Sequence, residues 1–500
     1  MKLNPLTAID FYKADHRRQY PKGTTLVYSN FTPRSTKYAP KIEGVNDKIV
    51  FFGLQYFIKW FLIDTFNNEF FKQDKSKVVA KYKRRMDNSL GKDAISMEHI
   101  EALHDLGYLP VSIRALSEGS IVDEKIPVLT IENTHPDFFW LTNYLETILS
   151  AMIWKPCTSA TTAYKYKQLM VKYAKLTGGD LNFVQFQGHD FSFRGMGGPQ
   201  DAISSGAGHL ISFTGTDTVP AIDFLEDYYN ADSDKELIGC SVPASEHSCL
   251  SLNGKDNEYE TFKRFITETY PKGIVSIVSD TWDFWNVITN FLPRLKPEIL
   301  ARSGGFPIDR LVIRPDSGCP VKIICGDPNA PIDSPEFKGA IECMWDIFGG
   351  TKTEKGYKVL DSHISIIFGD SINLDRCEQI LRILKQKGFA STNVVLGIGS
   401  YTYTYTTRDT YGFAVKSTAG IVNGEFREIF KDPKTDTGNL KKSAKGLLAV
   451  IKDEKGEYIL LDQVTRELAN NCELKEVFRD GNLLIDHKLS DIRKRIEEKV

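Results

Sequence analysis

Acids, arginines, one histidine and several glycines stand directly after short apolar runs in this sequence. The acids are Asp190, Asp217, Asp280, Asp316 and Asp370, the arginines Arg194, Arg314 and Arg408, and the histidine His247. Arginine forks and glycine-exposed backbone amides suit phosphate oxygens. Carboxylates suit ribose hydroxyls or Mg²⁺. Both kinds together point to a sugar phosphate, handled by positioning and electrostatics rather than by a covalent protein nucleophile. Plainer roles stay open for each. ArgProAspSerGly (314–318) also reads as a strand-ending turn, and His247, beside Glu246, as a structural histidine. Phe191 and Phe193 flank Ser192 and serve either core packing or a stacking platform for a flat ligand. GlyIleGlySer (397–400) begins like a dinucleotide fingerprint but lacks the third glycine.

The elements that must carry these residues alternate. The runs FVQF (183–186), HLISF (209–213), IVSIV (274–278), LVI (311–313), ISIIF (364–368) and NVVL (393–396) read as strands, with helix-like stretches between them. Further strands are expected near 157 and 240. Chemistry gathered after the strands' C-terminal ends is the habit of β/α barrels and of open parallel sheets, and the barrel is the expectation here. Earlier in the chain, 51–64 and 138–153 have helical spacing, 72–99 reads as a solvated helical face, and 108–132 as short strands with turns. After 410, a basic loop (431–446) precedes a hairpin around AspGluLysGly, and a charged helix closes the chain. The expected division is a flanking α+β domain from 1–160 plus 405–500, and a β/α barrel domain over 161–404.

Composition excludes several classes. The 500 residues are 41% hydrophobic and 26% charged, which fits neither disorder nor a coiled coil. The 63 Lys and Arg nearly cancel the 65 Asp and Glu, so no global field calls for nucleic acid or an anionic membrane. The greasiest stretch, 51–63, is broken by Gln55 and Lys59, and the N-terminus lacks an apolar signal-peptide core. Eight scattered cysteines without CxxC spacing suit reduced thiols, and the expected location is the cytoplasm.

HisAspPheSerPheArgGly (189–195), GlyThrAspThrVal (215–219), SerValProAlaSerGluHisSer (241–248), ArgProAspSerGly (314–318) and ThrArgAsp (407–409) occur in one order and close spacing. With AspPheTyrLys (10–13), PheGlyLeuGlnTyr (52–56), TrpLeuThrAsn (140–143) and PheLysAspPro (430–433), this set resembles the nicotinamide phosphoribosyltransferases from about residue 8 to 480. It is similar, more distantly, to the nicotinate phosphoribosyltransferases. The resemblance implies an irregular β/α barrel of the type II phosphoribosyltransferase kind with a flanking α+β domain, in a homodimer with active sites at the interface. It implies Mg²⁺-dependent joining of nicotinamide to phosphoribosyl pyrophosphate, giving nicotinamide mononucleotide and pyrophosphate. ATP is an optional co-substrate through phosphorylation of His247.

By the same resemblance, Arg194, His247 and Arg314 meet the leaving pyrophosphate, and Asp316, Gly369 and Asp370 the ribose hydroxyls. Ser241, Ser276, Asp280, Pro315 and Gly399 belong to the substrate-binding set, Ser400 and Arg408 to phosphate contacts, and Lys416 and Lys431 to further basic positions. Phe191 and Tyr12 sandwich the pyridine ring, with Tyr12 and Arg34 lent by the partner subunit. Asp217 accepts from the amide of nicotinamide, where the carboxylate of nicotinate would be repelled. The Mg²⁺ ligands are not specified, Asp280 and Asp316 being candidates. Three departures stand out: Ser400 and Tyr401 replace glycines of the family's phosphate loop, Ala414 replaces a serine, and Ser371 follows Asp370 where glycine occurs. The competing readings are a nicotinate phosphoribosyltransferase, a non-catalytic binding or signalling protein on the same fold, and a metal-dependent aldolase-like barrel. The last needs a His/Asp/Glu ligand cluster or a Schiff-base lysine, and no paired histidines at ligand spacing are visible.

Overall fold

Short apolar runs become a ring of parallel strands in the computed structural model, which describes residues 3–430 and 444–500. Six strands pair in the order Gly215–Thr216, Gly188–Asp190, Val394–Ile398, Ile364–Phe368, Arg310–Arg314 and Ile274–Val278. All of these pairings are parallel. The segment 240–244 joins the two outer strands: Cys240 bridges to Gly215 and Ala244 to Ser276, both in parallel. Thr216 N donates to Cys240 O at 2.9 Å, and Ser276 N to Pro243 O at 2.9 Å. The sheet therefore closes into a barrel whose staves follow sequence order. Ile277, Leu311, Ile313, Ile366, Leu396 and Ile398 are fully buried, as expected where parallel strands are covered on both faces.

Two expected strands are corrected. Residues 183–186 fall in a short 3-10 turn and the helical turn Val184–Gln187, and 209–210 end the helix Pro199–Leu210. The strands start just after, at Gly188 and Gly215. They are built from glycine because neighbours press on them: a Cβ at Gly188 would lie 2.9 Å from the Phe213 ring, and one at Gly215 would lie 2.8 Å from His189 Nδ1. The apolar runs were faces of helices, which short windows cannot separate from strands. The strand expected near 157 is also corrected, since Cys157 lies inside the long helix Glu146–Thr177. There Thr158, Thr161 and Thr162 donate back to the carbonyls of Trp154, Cys157 and Thr158, which reconciles a threonine-rich run with a helix.

Both ends of the chain meet in a second sheet. Its order is Glu425–Glu428, Ala414–Val422, Thr24–Thr32, Leu129–Asn133, Val111–Ala115, Lys475–Arg479 and Asn482–Leu483, antiparallel throughout. The expected hairpin pairs Ala449–Lys452 with Tyr458–Leu461, and the charged helix is Leu489–Glu497. Among the described residues no helix is long and apolar enough to cross a membrane.

Glu118 sits at the seam between sheet and barrel. Its carboxylate accepts from Gly53 N at 2.7 Å and from Tyr229 Oη at 2.9 Å, and also from Gln55 N. Complete burial pushes its pKa up to about 7 against those bonds and the Arg495 charge. A folded-state pKa raised above the unfolded one means that the native state binds the extra proton, so stability is lost as pH rises through 7. Glu118→Gln should therefore gain stability relative to the parent as pH rises from 5 to 8, measured by urea unfolding. A difference independent of pH would contradict this.

Candidate functional site

The strand Gly188–Asp190 and its neighbour Gly215–Thr216 set one end of the mouth. Asp190 is fully buried and serves the barrel itself: it accepts from Ser192 N at 2.9 Å and Thr216 Oγ1 at 3.3 Å. Asp217, just beyond, is exposed. Its Oδ1 accepts from Ser241 Oγ at 2.7 Å and faces His189 Nε2 at 2.9 Å. Burial alone would raise the Asp217 pKa, but His189, Ser241 and the Arg314 charge outweigh it and hold the group below the usual carboxylate range. Both bonds fall on Oδ1, which leaves Oδ2 to accept from a ligand. Phe191 lies beside the His189 ring, centroids 4.5 Å apart. Its own ring lies against bare backbone, since a Cβ at Gly397 would come within 2.6 Å of it. Phe193, which opens a 3-10 turn, is more exposed.

The opposite side of the mouth is acidic. Asp280, Asp316 and Asp370 each stand two residues beyond the end of a strand. Asp280 Oδ2 accepts from Asp316 N at 2.9 Å and Ser317 N at 2.7 Å, which ties two strand ends together. Asp280 Oδ1 and Asp316 Oδ1 are buried and have no hydrogen-bond partner. Burial raises the Asp316 pKa, Arg314 pulls it back, and Asp280 and Asp370 push it up again. Arg314 Nε stands 3.6 Å from Asp316 Oδ2, while Nη2 donates to Ser245 O at 2.7 Å. Gly369 is required here: a Cβ would lie 2.3 Å from Asp316 Oδ1, and its N–H reaches Pro315 O at 3.4 Å. Ser371, next to Asp370, holds a left-handed φ of 53°, the conformation glycine takes without strain. His247 opens a helix, with Nδ1 3.1 Å from Thr281 Oγ1 and Nε2 3.8 Å from Asp280 Oδ1. Ser276 Oγ is buried without a partner on the strand below.

A third group borders the mouth through two loops. Arg194 lies in the turn after Phe191, and Gly399 and Ser400 open the short helix Ser400–Tyr403. Ser400 Oγ would sit 2.1 Å from a Cβ on Gly195, so the two loops touch. Arg408 opens a 3-10 turn shortly after the second of them in the chain. Its charge reaches both Arg34, whose pKa burial and then Arg408 lower, and Tyr12, whose pKa burial raises against a smaller opposing pull from Arg408. Lys416 lines a 380 Å³ cleft with Lys13, His16, Tyr20, Asn143 and Glu146. Tyr12, Arg34, Arg408 and Lys416 are thus features of the flanking sheet and its margin. Lys431 lies outside the described residues.

Sequence reasoning missed two residues. His189 sits in a motif already singled out, yet only pairing across the ring reveals that it holds Asp217. Arg376 lies with its guanidinium 5.5 Å from the Tyr401 ring and donates to Ser371 O, holding two mouth loops together; nothing in the sequence around it signals this.

Comparisons with known proteins place the chain in a family. The nicotinate phosphoribosyltransferase (NAPRTase) family matches residues 186–482, and the nicotinamide phosphoribosyltransferase N-terminal domain matches residues 4–113. A nicotinamide phosphoribosyltransferase of Acinetobacter baylyi is 57% identical over 100% of this chain and 98% of its own length. One from Mycoplasma pneumoniae is 33% identical over 87% of this chain and 93% of its own. In fold, the chain is similar to a nicotinate-nucleotide pyrophosphorylase from Pyrococcus furiosus, with a TM-score of 0.57, 16% identity and 99% and 95% of the two chains covered. It is also similar to human nicotinic acid phosphoribosyltransferase, with a TM-score of 0.52, 15% identity and 98% and 93% covered.

Gly397→Ala places a methyl 2.6 Å from Phe191 Cδ2 and 2.8 Å from Gly369 Cα. It should cost about 1–3 kcal/mol of stability by overpacking, read by urea unfolding. An unchanged midpoint would show that the ring has room to move.

Proposed function

The chain belongs to the nicotinamide and nicotinate phosphoribosyltransferase family, and from that premise we infer that it transfers phosphoribose from phosphoribosyl pyrophosphate to nicotinamide, yielding nicotinamide mononucleotide and pyrophosphate. The observation that carries the choice of base is Asp217, a carboxylate fixed through Oδ1 by Ser241 and His189. Its other oxygen suits the NH₂ of a carboxamide. A carboxylate in that place would meet like charge, so nicotinate is disfavoured.

The ring nitrogen of nicotinamide attacks the anomeric carbon with its lone pair, the carbon–oxygen bond to pyrophosphate breaks, and pyrophosphate leaves with the electron pair. No proton need move. Positive charge grows on the sugar and negative charge on the leaving group. Asp316 and Asp370, at neighbouring strand ends, are suited to the ribose hydroxyls, and Gly369 leaves the Asp316 carboxylate its place. Arg194, Arg314 and His247 are suited to the departing oxygens. Phe191 offers one face of a stacking site for the pyridine ring.

Mg²⁺ fits this donor set. Asp280 and Asp316 present unpartnered buried oxygens, the ligand type that ion prefers. Among the described residues no three such side chains form a complete site, so phosphoribosyl pyrophosphate would supply much of the shell. Bound there, Mg²⁺ would neutralise the charge developing on pyrophosphate. ATP is proposed as an optional co-substrate that phosphorylates His247, a half-exposed ring beside Asp280.

A homodimer is proposed because the resemblance assigns Tyr12 and Arg34 to a partner's site, and Arg408 shares their electrostatic surroundings at the flanking sheet's margin. The cytoplasm is proposed on the eight free cysteines.

Purified protein given phosphoribosyl pyrophosphate, Mg²⁺ and nicotinamide should form the mononucleotide, seen by chromatography; no product with active substrate would contradict the assignment. Mixing Asp316→Ala with Arg408→Ala subunits should restore about a quarter of parental activity if one protomer's margin completes its partner's mouth. Failure to recover activity after subunit exchange would place all these residues in one chain's site.

A further inference from the structure

Lys155 is a buried ammonium that the reaction as described does not use. It lies in the helix Glu146–Thr177, next to the internal Pro156, and is only 6% exposed. Its Nζ donates to Tyr403 O, the last carbonyl of the helix Ser400–Tyr403, and to Thr406 Oγ1 at 3.3 Å. On its other side Asp201 Oδ1 stands 3.7 Å away. Asp201 lies in the first turn of Pro199–Leu210, and its Oδ2 accepts from Gly197 N at 2.8 Å. One cation thus links the loop that carries Ser400 to the loop that follows Arg194. The same loops meet through Thr404 Oγ1, which donates to Gly195 O at 2.9 Å, and through Ser400 packed on Gly195.

The helix beneath is packed closely against its neighbour Pro199–Leu210. A Cβ at Gly208 would lie 2.9 Å from Pro156 O, and Ser159 and Ser205 share a 2.7 Å hydrogen bond across the two helices. Tyr403 is anchored as well, its hydroxyl 2.7 Å from His209 Nδ1. The loop here is the short helix Ser400–Tyr403, whose C-terminal carbonyl needs a donor. A buried cation at that carbonyl is favourable as a charge-assisted hydrogen bond.

We propose that Lys155 is a positioning residue for the phosphate end of the site, holding the Arg194 and Ser400 loops in the register that receives the phosphates of phosphoribosyl pyrophosphate. The proposal rests on the phosphoribosyl transfer inferred above. It acts through the loops, so it should govern phosphoribosyl pyrophosphate and leave the nicotinamide end, built around Asp217 and Phe191, as it is.

Steady-state kinetics of Lys155→Met, Lys155→Arg and Asp201→Asn test it, with each substrate varied in turn. Lys155→Met should raise KM for phosphoribosyl pyrophosphate about tenfold or more and change KM for nicotinamide less than about threefold. Lys155→Arg, which keeps charge and donors, should recover most of that loss. Asp201→Asn should shift the same constant in the same direction, and it serves as the test should Lys155→Met fail to fold. Equal rises in both KM values, or no change for phosphoribosyl pyrophosphate in a folded variant, would overturn the proposal. Parental protein without any transferase activity would instead overturn the reading it rests on.

Discussion

Closure of the barrel by residues 240–244 is the constraint on which the site depends. Without the bridges from Cys240 to Gly215 and from Ala244 to Ser276, the six-stranded sheet would be open, and Asp217 and His247 would lie at separate edges. Closure draws every strand's C-terminal end to one mouth. It also demands close approach, which is why glycines occupy positions 188 and 215, where a side chain would meet Phe213 or His189. The ring is small and tightly packed, so the groups on its rim are held by the core rather than by flexible loops alone.

That rim separates charge. Asp217 is kept ionised by His189, Ser241 and Arg314, whereas Asp316 is pushed towards its neutral form by burial and by Asp280 and Asp370. Three carboxylates crowded at adjacent strand ends, two with orphaned oxygens, are a poor arrangement for stability and a good one for a cationic or hydroxyl-rich ligand. Arg314 mediates between the two sides: it stands within ion-pair reach of Asp316, and its charge lowers the Asp217 pKa. The side of the mouth bordered by Arg194 and Ser400 is built differently. There a buried lysine and the Thr404 hydroxyl bind two loops together, with Ser400 packed on Gly195.

Much of this was legible in the chain. The runs at 274–278, 311–313, 364–368 and 393–396 are strands because β-branched residues buried on both faces leave an unambiguous apolar signal, and the acids after them reach the mouth. The runs at 183–186 and 209–213 misled because their apolar residues face inward from helical segments, while the true strands, GlyHisAsp and GlyThr, carry no apolar signal at all. The role of His189 depends on a partner 28 residues away. Lys155 depends on partners in two loops distant in sequence, and it lies in a helix whose threonines hide its type. Arg408 reads as a phosphate ligand in the sequence, and its company with Tyr12 and Arg34 emerges only from tertiary position.

The account turns on Asp217 as the group that chooses the base. The direct measure is the ratio of kcat/KM for nicotinamide to that for nicotinate, taken for the parent and for Asp217→Asn under one set of conditions. A parental ratio strongly in favour of nicotinamide, falling by about a hundredfold or more in Asp217→Asn, is the predicted result. A ratio that stays the same when the carboxylate is removed would contradict the account and place selection of the base elsewhere in the mouth.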